Sequence, residues 1–176
     1  MLTVGDKLPP FALQAVVSLD PGKEFTTVDQ GSYPGKWLVL FAWPMDFTFV
    51  CPTEIAEFGR RTAEFRSRSA EVLGASTDSK HSHKAWIKNG LGKLNHPLLA
   101  DFNKTISRDY DALMENGMAL RATVIIDPNG IVQHASYNAD LLGRSVAETL
   151  RLVQALQTGE RCPVEWKPGS KTLGKG

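Results

Sequence analysis

A chain of 176 residues, 42% hydrophobic and 22% charged, can bury a sizeable core and fits one domain over 1–176. Its formal net charge of +1 gives no pull towards nucleic acid, an anionic membrane or a strongly acidic partner. No apolar run approaches the ~20 residues of a membrane span, and the opening MLTVGDKLPPFALQ lacks the basic and apolar regions of a signal peptide, so a cytoplasmic location is expected.

Phe11 to Val17 and Phe25 to Val28 are spaced as an N-terminal hairpin. Lys36 to Trp43 is an apolar run stopped by Pro44, which fits a strand buried on both faces. Pro52 then suits the first turn of a helix, and Ile55, Phe58, Thr62 and Phe65 recur at helical spacing from Cys51 to Arg66. Ala70 to Ser76 is a second strand, Lys80 to Lys88 a helix and Leu98 to Ala100 a short strand. Asp101 can cap a helix reaching Tyr110. Ala122 to Asp127 and Ile131 to Ser136 flank Pro128-Asn129-Gly130, a strong hairpin signal. Ser145 to Glu148 is a capping box, and Val146, Leu150, Val153 and Leu156 stripe the helix that Gly159 ends. The Gly-, Lys- and Ser-rich stretch from Lys167 to Gly176 is tail-like. This order predicts an α/β sandwich of thioredoxin-like type, with a mixed central sheet flanked by helices.

Two cysteines in a chain of this kind do not make a disulfide framework. Cys51 falls where a buried strand hands over to a helix. Unpaired N–H groups and the positive end of the dipole favour a thiolate there, and the thiolate is the nucleophile. Thioredoxin-type sites carry C-x-x-C at this point, but here Glu54 takes the second position. An oxidised Cys51 therefore stays a sulfenic acid or is resolved by a distant thiol. Arg121 stands at the mouth of a buried strand, where a planar cation can stabilise both a thiolate and the negative charge that builds as an O–O bond breaks. Cys162 lies in an extended Gly- and Pro-bounded loop rather than in the core.

The string from Pro44 through Thr48 to Cys51 matches P-x-x-x-T-x-x-C, and DFTFVCPTE, LRATVIIDPNG and CPVEWKPG extend the match over most of the chain. The sequence thus resembles typical 2-Cys peroxiredoxins, the group that includes the peroxidase component of alkyl hydroperoxide reductase. That resemblance implies a thiol peroxidase acting on hydrogen peroxide and organic hydroperoxides. In it Cys51 is the peroxidatic residue. Thr48 hydrogen-bonds the thiolate and the peroxide, Pro44 shields the pocket, Glu54 orients an arginine, and Arg121 is that arginine. The segment from about 160 to 176 carries Cys162, which resolves the sulfenic acid of a partner subunit. A homodimer is implied, assembling into a decameric ring and recycled by thioredoxin or a flavoprotein disulfide reductase. No metal, haem or bound flavin is implied. His81 and His83 form an H-x-H pair, but the resemblance makes that region structural. The same cysteines could serve a peroxide sensor, and a holdase chaperone would need neither.

Two departures carry expectations. Asn89-Gly90-Leu91-Gly92 only partly matches the loop of overoxidation-prone members, and the tail lacks their Tyr-Phe pair. Fast disulfide formation and resistance to sulfinic inactivation follow. Intact-mass analysis after turnover in millimolar peroxide should find Cys51 largely free of the two-oxygen adduct; rapid accumulation of that adduct would contradict the expectation. Ala42-Trp43 replaces the usual Phe-Tyr pair, so packing behind the pocket should differ.

Overall fold

The computed structural model describes residues 2–175; Met1 and Gly176, the two ends of the expected domain and tail, lie outside them. The strands are β1 (Ala12–Val16), β2 (Phe25–Asp29), β3 (Trp37–Ala42), β4 (Ala70–Ser76), β5 (Leu98–Ala100), β6 (Arg121–Ile126) and β7 (Val132–Asn138). They form one sheet in the order β2-β1-β5-β4-β3-β6-β7. The central β3, β4 and β5 run parallel, and antiparallel strands flank them on both sides. The helices are α1 (Cys51–Arg66), α2 (Lys80–Trp86), α3 (Thr105–Asp109) and α4 (Val146–Gln157). Among the described residues no helix is long and apolar enough to cross a membrane.

The unbroken apolar run of β3 is explained by what covers its two faces. Val39 and Phe41 point into a core shared with Ile55, Phe58 and Phe65 of α1 and Leu150 and Val153 of α4. Leu38 and Leu40 point the other way, into a core with Leu8, Phe11, Ile106 and Tyr110. A period of two with apolar residues at both phases leaves no solvent face. The mixed sheet, both hairpins, α1 and β4 lie where the sequence places them.

Three segments differ from expectation. The helix from Lys80 does not run regularly to Lys88. It gives way after Trp86 to one π turn over Ile87–Leu91, closed by the Gly92 amide on the Ile87 carbonyl at 3.0 Å. Gly92 has a φ of 73°, which ends the turn without Cβ strain. The helix expected after Asp101 starts only at Thr105, because Lys104 is left-handed with a φ of 60°. Asp101 still accepts amides of that helix, from Ile106 at 3.2 Å and Ser107 at 2.8 Å. The tail is tied back on itself: the Leu173 amide donates to the Arg161 carbonyl at 2.8 Å, and the Arg161 amide to Gly174 at 3.0 Å.

Trp43 is fully buried, and Gly74 on the neighbouring strand makes room for it. A Cβ at Gly74 would lie 2.8 Å from Phe41 Cζ and 2.9 Å from Trp43 Cζ3. Both obstacles are rigid rings in a packed core. Gly74→Ala should cost about 1–3 kcal/mol by overpacking, read as a lowered denaturation midpoint. An unchanged midpoint would show that the rings can move.

Candidate active site

The parallel strand β3 delivers the chain to one end of the sheet, where Pro44 stops it and the loop of residues 44–50 leads into α1. This loop is pinned from below. Asp46 accepts the Trp43 indole N–H at 3.0 Å and the Ser82 hydroxyl at 2.7 Å, and lies 2.8 Å from His83 Nδ1. The other ring nitrogen of His83 faces the Leu99 carbonyl at 3.2 Å. His83 is thereby bound up in structural bonds, and His81 packs edge-on against Phe25. Among the described residues no group of three or more His, Cys, Asp or Glu is placed to hold a metal ion.

Cys51 is the first residue of α1 and is 1% exposed. Val50, the N-cap, supplies no side-chain cap. Glu54 is the acidic residue in the first turn at this positive helix end. Arg121, at the start of β6, is also buried, and its Nη1 lies 3.5 Å from Cys51 Sγ. The same nitrogen pairs with Glu54 Oε2. Nη2 of Arg121 donates to the Asp140 carbonyl at 2.8 Å and to its carboxylate at 3.2 Å. The guanidinium is thus held on both sides, with one nitrogen against the sulfur.

Arg144, which no local signal in the sequence singles out, completes the site. Its backbone amide and Nε donate to Glu54 Oε1 at 2.7 and 2.9 Å, and its Nη2 to Oε2 at 3.0 Å. It also donates to the carbonyls of Ala42 and Ala122, both at 2.7 Å. Glu54 is therefore a buried carboxylate shared by two arginines. Burial alone would raise its pKa, but the hydrogen bonds and charge of Arg144, with the charge of Arg121, outweigh it and hold the carboxyl below its ordinary range. The smaller Ala42 lies where its carbonyl receives Arg144, whose guanidinium stands 5.2 Å over the Phe41 ring.

Pro44, Thr48, Cys51 and Arg121 line one cavity of about 260 Å³. The Thr48 hydroxyl donates to the Met45 carbonyl at 2.9 Å, which commits its proton and leaves its lone pairs to accept. The structure therefore brings five of the six expected residues together around the sulfur, with Glu54 behind the arginine.

Cys162 lies elsewhere. Its half-buried Sγ is 3.6 Å from Thr158 Oγ1 and 3.7 Å from the Ala155 carbonyl, at the C-terminal end of α4. Helices α1 and α4 have their starts together, through Arg144 and Glu54, and their ends together, through Gln157 and the Arg68 carbonyl. Cys162 thus sits about one length of α4 from Cys51, about 18 Å at 1.5 Å per residue.

Residues 4–135 match the AhpC/TSA family. The chain belongs to that family. It is 49% identical over 178 residues to the putative peroxiredoxin YkuU of Bacillus subtilis, covering 97% of each chain. It is 42% identical over 186 residues to alkyl hydroperoxide reductase C of Mycobacterium tuberculosis, covering 100% of this chain and 95% of that one. The reduced 2-Cys peroxiredoxin of Plasmodium vivax superposes with a TM-score of 0.91 at 41% identity, over 96% of this chain and 91% of that one. Mycobacterium bovis AhpC gives 0.87 at 42% identity, over 95% and 99%. The chain is a 2-Cys peroxiredoxin with the thioredoxin-like fold, and a thiol peroxidase; a buried cysteine at the N-terminus of α1 is consistent with that chemistry.

Proposed function

We propose that Cys51 is the peroxidatic sulfur of this peroxiredoxin and that Cys162 of a second subunit resolves it. The observation that carries the first assignment is the Arg121 guanidinium at 3.5 Å from a buried sulfur, inside a cavity open to a small molecule. The Cys51 thiolate attacks the terminal oxygen of a hydroperoxide. An S–O bond forms as the O–O bond breaks, and the leaving oxygen takes a proton and departs as water or an alcohol. Arg121 donates to the oxygens on which charge builds. Thr48 accepts from the peroxide O–H with the lone pairs that Met45 leaves free. Pro44 keeps water from the sulfur, and Glu54 with Arg144 fixes the pose of Arg121.

An intrachain disulfide needs Cα atoms within about 7 Å. The separation of about 18 Å along α4 supports resolution by a partner instead. The minimal enzyme is then a homodimer, which assembles into a decameric ring. A dithiol reductant, thioredoxin or a flavoprotein disulfide reductase, returns both cysteines to thiols. No resident cofactor is needed, and the reducing cytoplasm is the expected setting.

Trapping with dimedone tests the first step. In Cys162→Ser, one equivalent of hydrogen peroxide should yield a dimedone adduct on the peptide containing Cys51. No adduct, with Cys51 still a thiol, would refute the assignment.

A further inference from the structure

A second cavity, sharing no lining residue with the one at Cys51, opens where β5 begins. β5 has three residues and starts at Leu98, opposite Val16 of β1. Past Val16 the chain has no β5 residue beside it, and a cavity of about 290 Å³ lies there. Val16, Ile87 and His96 form its buried inner wall. Leu19, Asp20 and Lys93 form its exposed mouth. Ile87 is also the first residue of the π turn, a departure from the α-helix that is frequent at functional sites.

His96 is the part of this wall that packing does not explain. It is 5% exposed, and neither ring nitrogen has a hydrogen-bond partner among the described residues. The segment that carries it is fixed: Asn95 donates to the Gly59 carbonyl of α1 at 3.2 Å, and Arg66 donates to the Asn95 carbonyl at 3.0 Å. The His96 ring itself packs 5.6 Å from that of Phe41. The imidazole is thus held in place without being satisfied. Buried polar side chains are as a rule hydrogen-bonded, because one without a partner bears the cost of its lost hydration. Such a ring on the wall of a cavity suits a partner that arrives from outside.

The charges indicate what kind. Burial, helped by the nearby Arg66 charge, lowers the His96 pKa to about 3, so at neutral pH the ring is uncharged, with one nitrogen donating and the other accepting. Asp20 and Lys93 at the mouth are of opposite sign and give no net pull on an ion. Most of the remaining wall is aliphatic.

We propose that this cavity binds a small uncharged molecule with an apolar body and one hydroxyl group, the hydroxyl taking the hydrogen bond that a ring nitrogen of His96 lacks. The site is separate from the peroxidase chemistry and stands whether or not Cys51 is the reacting sulfur.

Titration of the reduced full-length protein with p-cresol and with toluene, up to about 5 mM of each, tests it. The two probes have the same apolar body and differ by the hydroxyl. A purely apolar cavity prefers toluene, because burying an unpaired hydroxyl is costly. Calorimetry should instead show p-cresol bound at least as tightly as toluene, with a Kd of about 1 mM or below. With histidines labelled in the ring, p-cresol should move the His96 signal and leave those of His81, His83 and His134 in place. His96→Phe removes both nitrogens, keeps an aromatic ring and gives up no hydrogen bond, so it should fold; in it the preference for p-cresol over toluene should fall about fivefold or more. A His96 signal unmoved by p-cresol, or tighter binding of toluene by the wild type, would overturn the proposal without need of the variant. An unchanged preference in folded His96→Phe would overturn it as well.

Discussion

Replacing Arg121 by Gln is expected to slow oxidation of Cys51 by about 10²–10³-fold, the loss seen when a preorganised donor at a developing charge is removed. The side chain is placed for that role by more than proximity. One terminal nitrogen lies 3.5 Å from the sulfur and also meets Glu54, while the other is fixed by two oxygens of Asp140. Gln keeps a hydrogen-bond donor of similar reach but brings no positive charge. Lys would keep the charge but lose the planar fork that serves sulfur, carboxylate and Asp140 together, so Arg121→Lys should recover only part of the rate. Pseudo-first-order oxidation kinetics over a range of peroxide concentrations read the effect. A loss of less than about threefold in a folded variant would mean that Arg121 is structural only.

Glu54→Gln should destabilise the fold by about 3–5 kcal/mol at neutral pH, because it leaves two buried guanidinium groups without their shared anion. It should also slow Cys51 oxidation, since Arg121 loses one of the groups that set its pose. The dependence on pH follows from the direction of the shift. The Glu54 carboxyl titrates below its ordinary value in the folded chain, so its contribution is fully present above the unfolded value near 4.3 and is lost as pH falls through the folded one. Denaturation midpoints of wild type and Glu54→Gln should therefore differ most at neutral pH and converge in acid. A constant gap would show that the carboxylate charge is not what stabilises the pair.

The parts of this molecule that could be read from sequence are those set by local chemistry. Pro44 after an unbroken apolar run marks the end of a central strand, Asn129-Gly130 marks a hairpin, and Ser145 does accept the Glu148 amide, at 3.1 Å. The handover from strand to helix at Cys51 follows from the same signals. Arg144 does not. It lies 90 residues from Glu54, and only the docking of α4 beside α1 makes them neighbours. A carboxylate at a buried helix start calls for a cationic partner. Nothing local, however, says which arginine answers. Asp140 is hidden in the same way. The left-handed Lys104 delays α3, and a bond closed by Gly92 makes the π turn; both depend on backbone choices that side-chain periodicity does not record. The expected reach of Thr48 towards sulfur needed the position of the Met45 carbonyl, which takes its proton.

The central claim is that a reactive Cys51 depends on a second thiol that its own chain cannot bring near. Treatment of the reduced protein with one equivalent of hydrogen peroxide, followed by non-reducing electrophoresis and peptide mass analysis, tests this directly. A covalent dimer linked Cys51 to Cys162, absent in Cys51→Ser and in Cys162→Ser, is the expected result. A monomer carrying an intrachain Cys51–Cys162 bridge, or no crosslink at all, would contradict it.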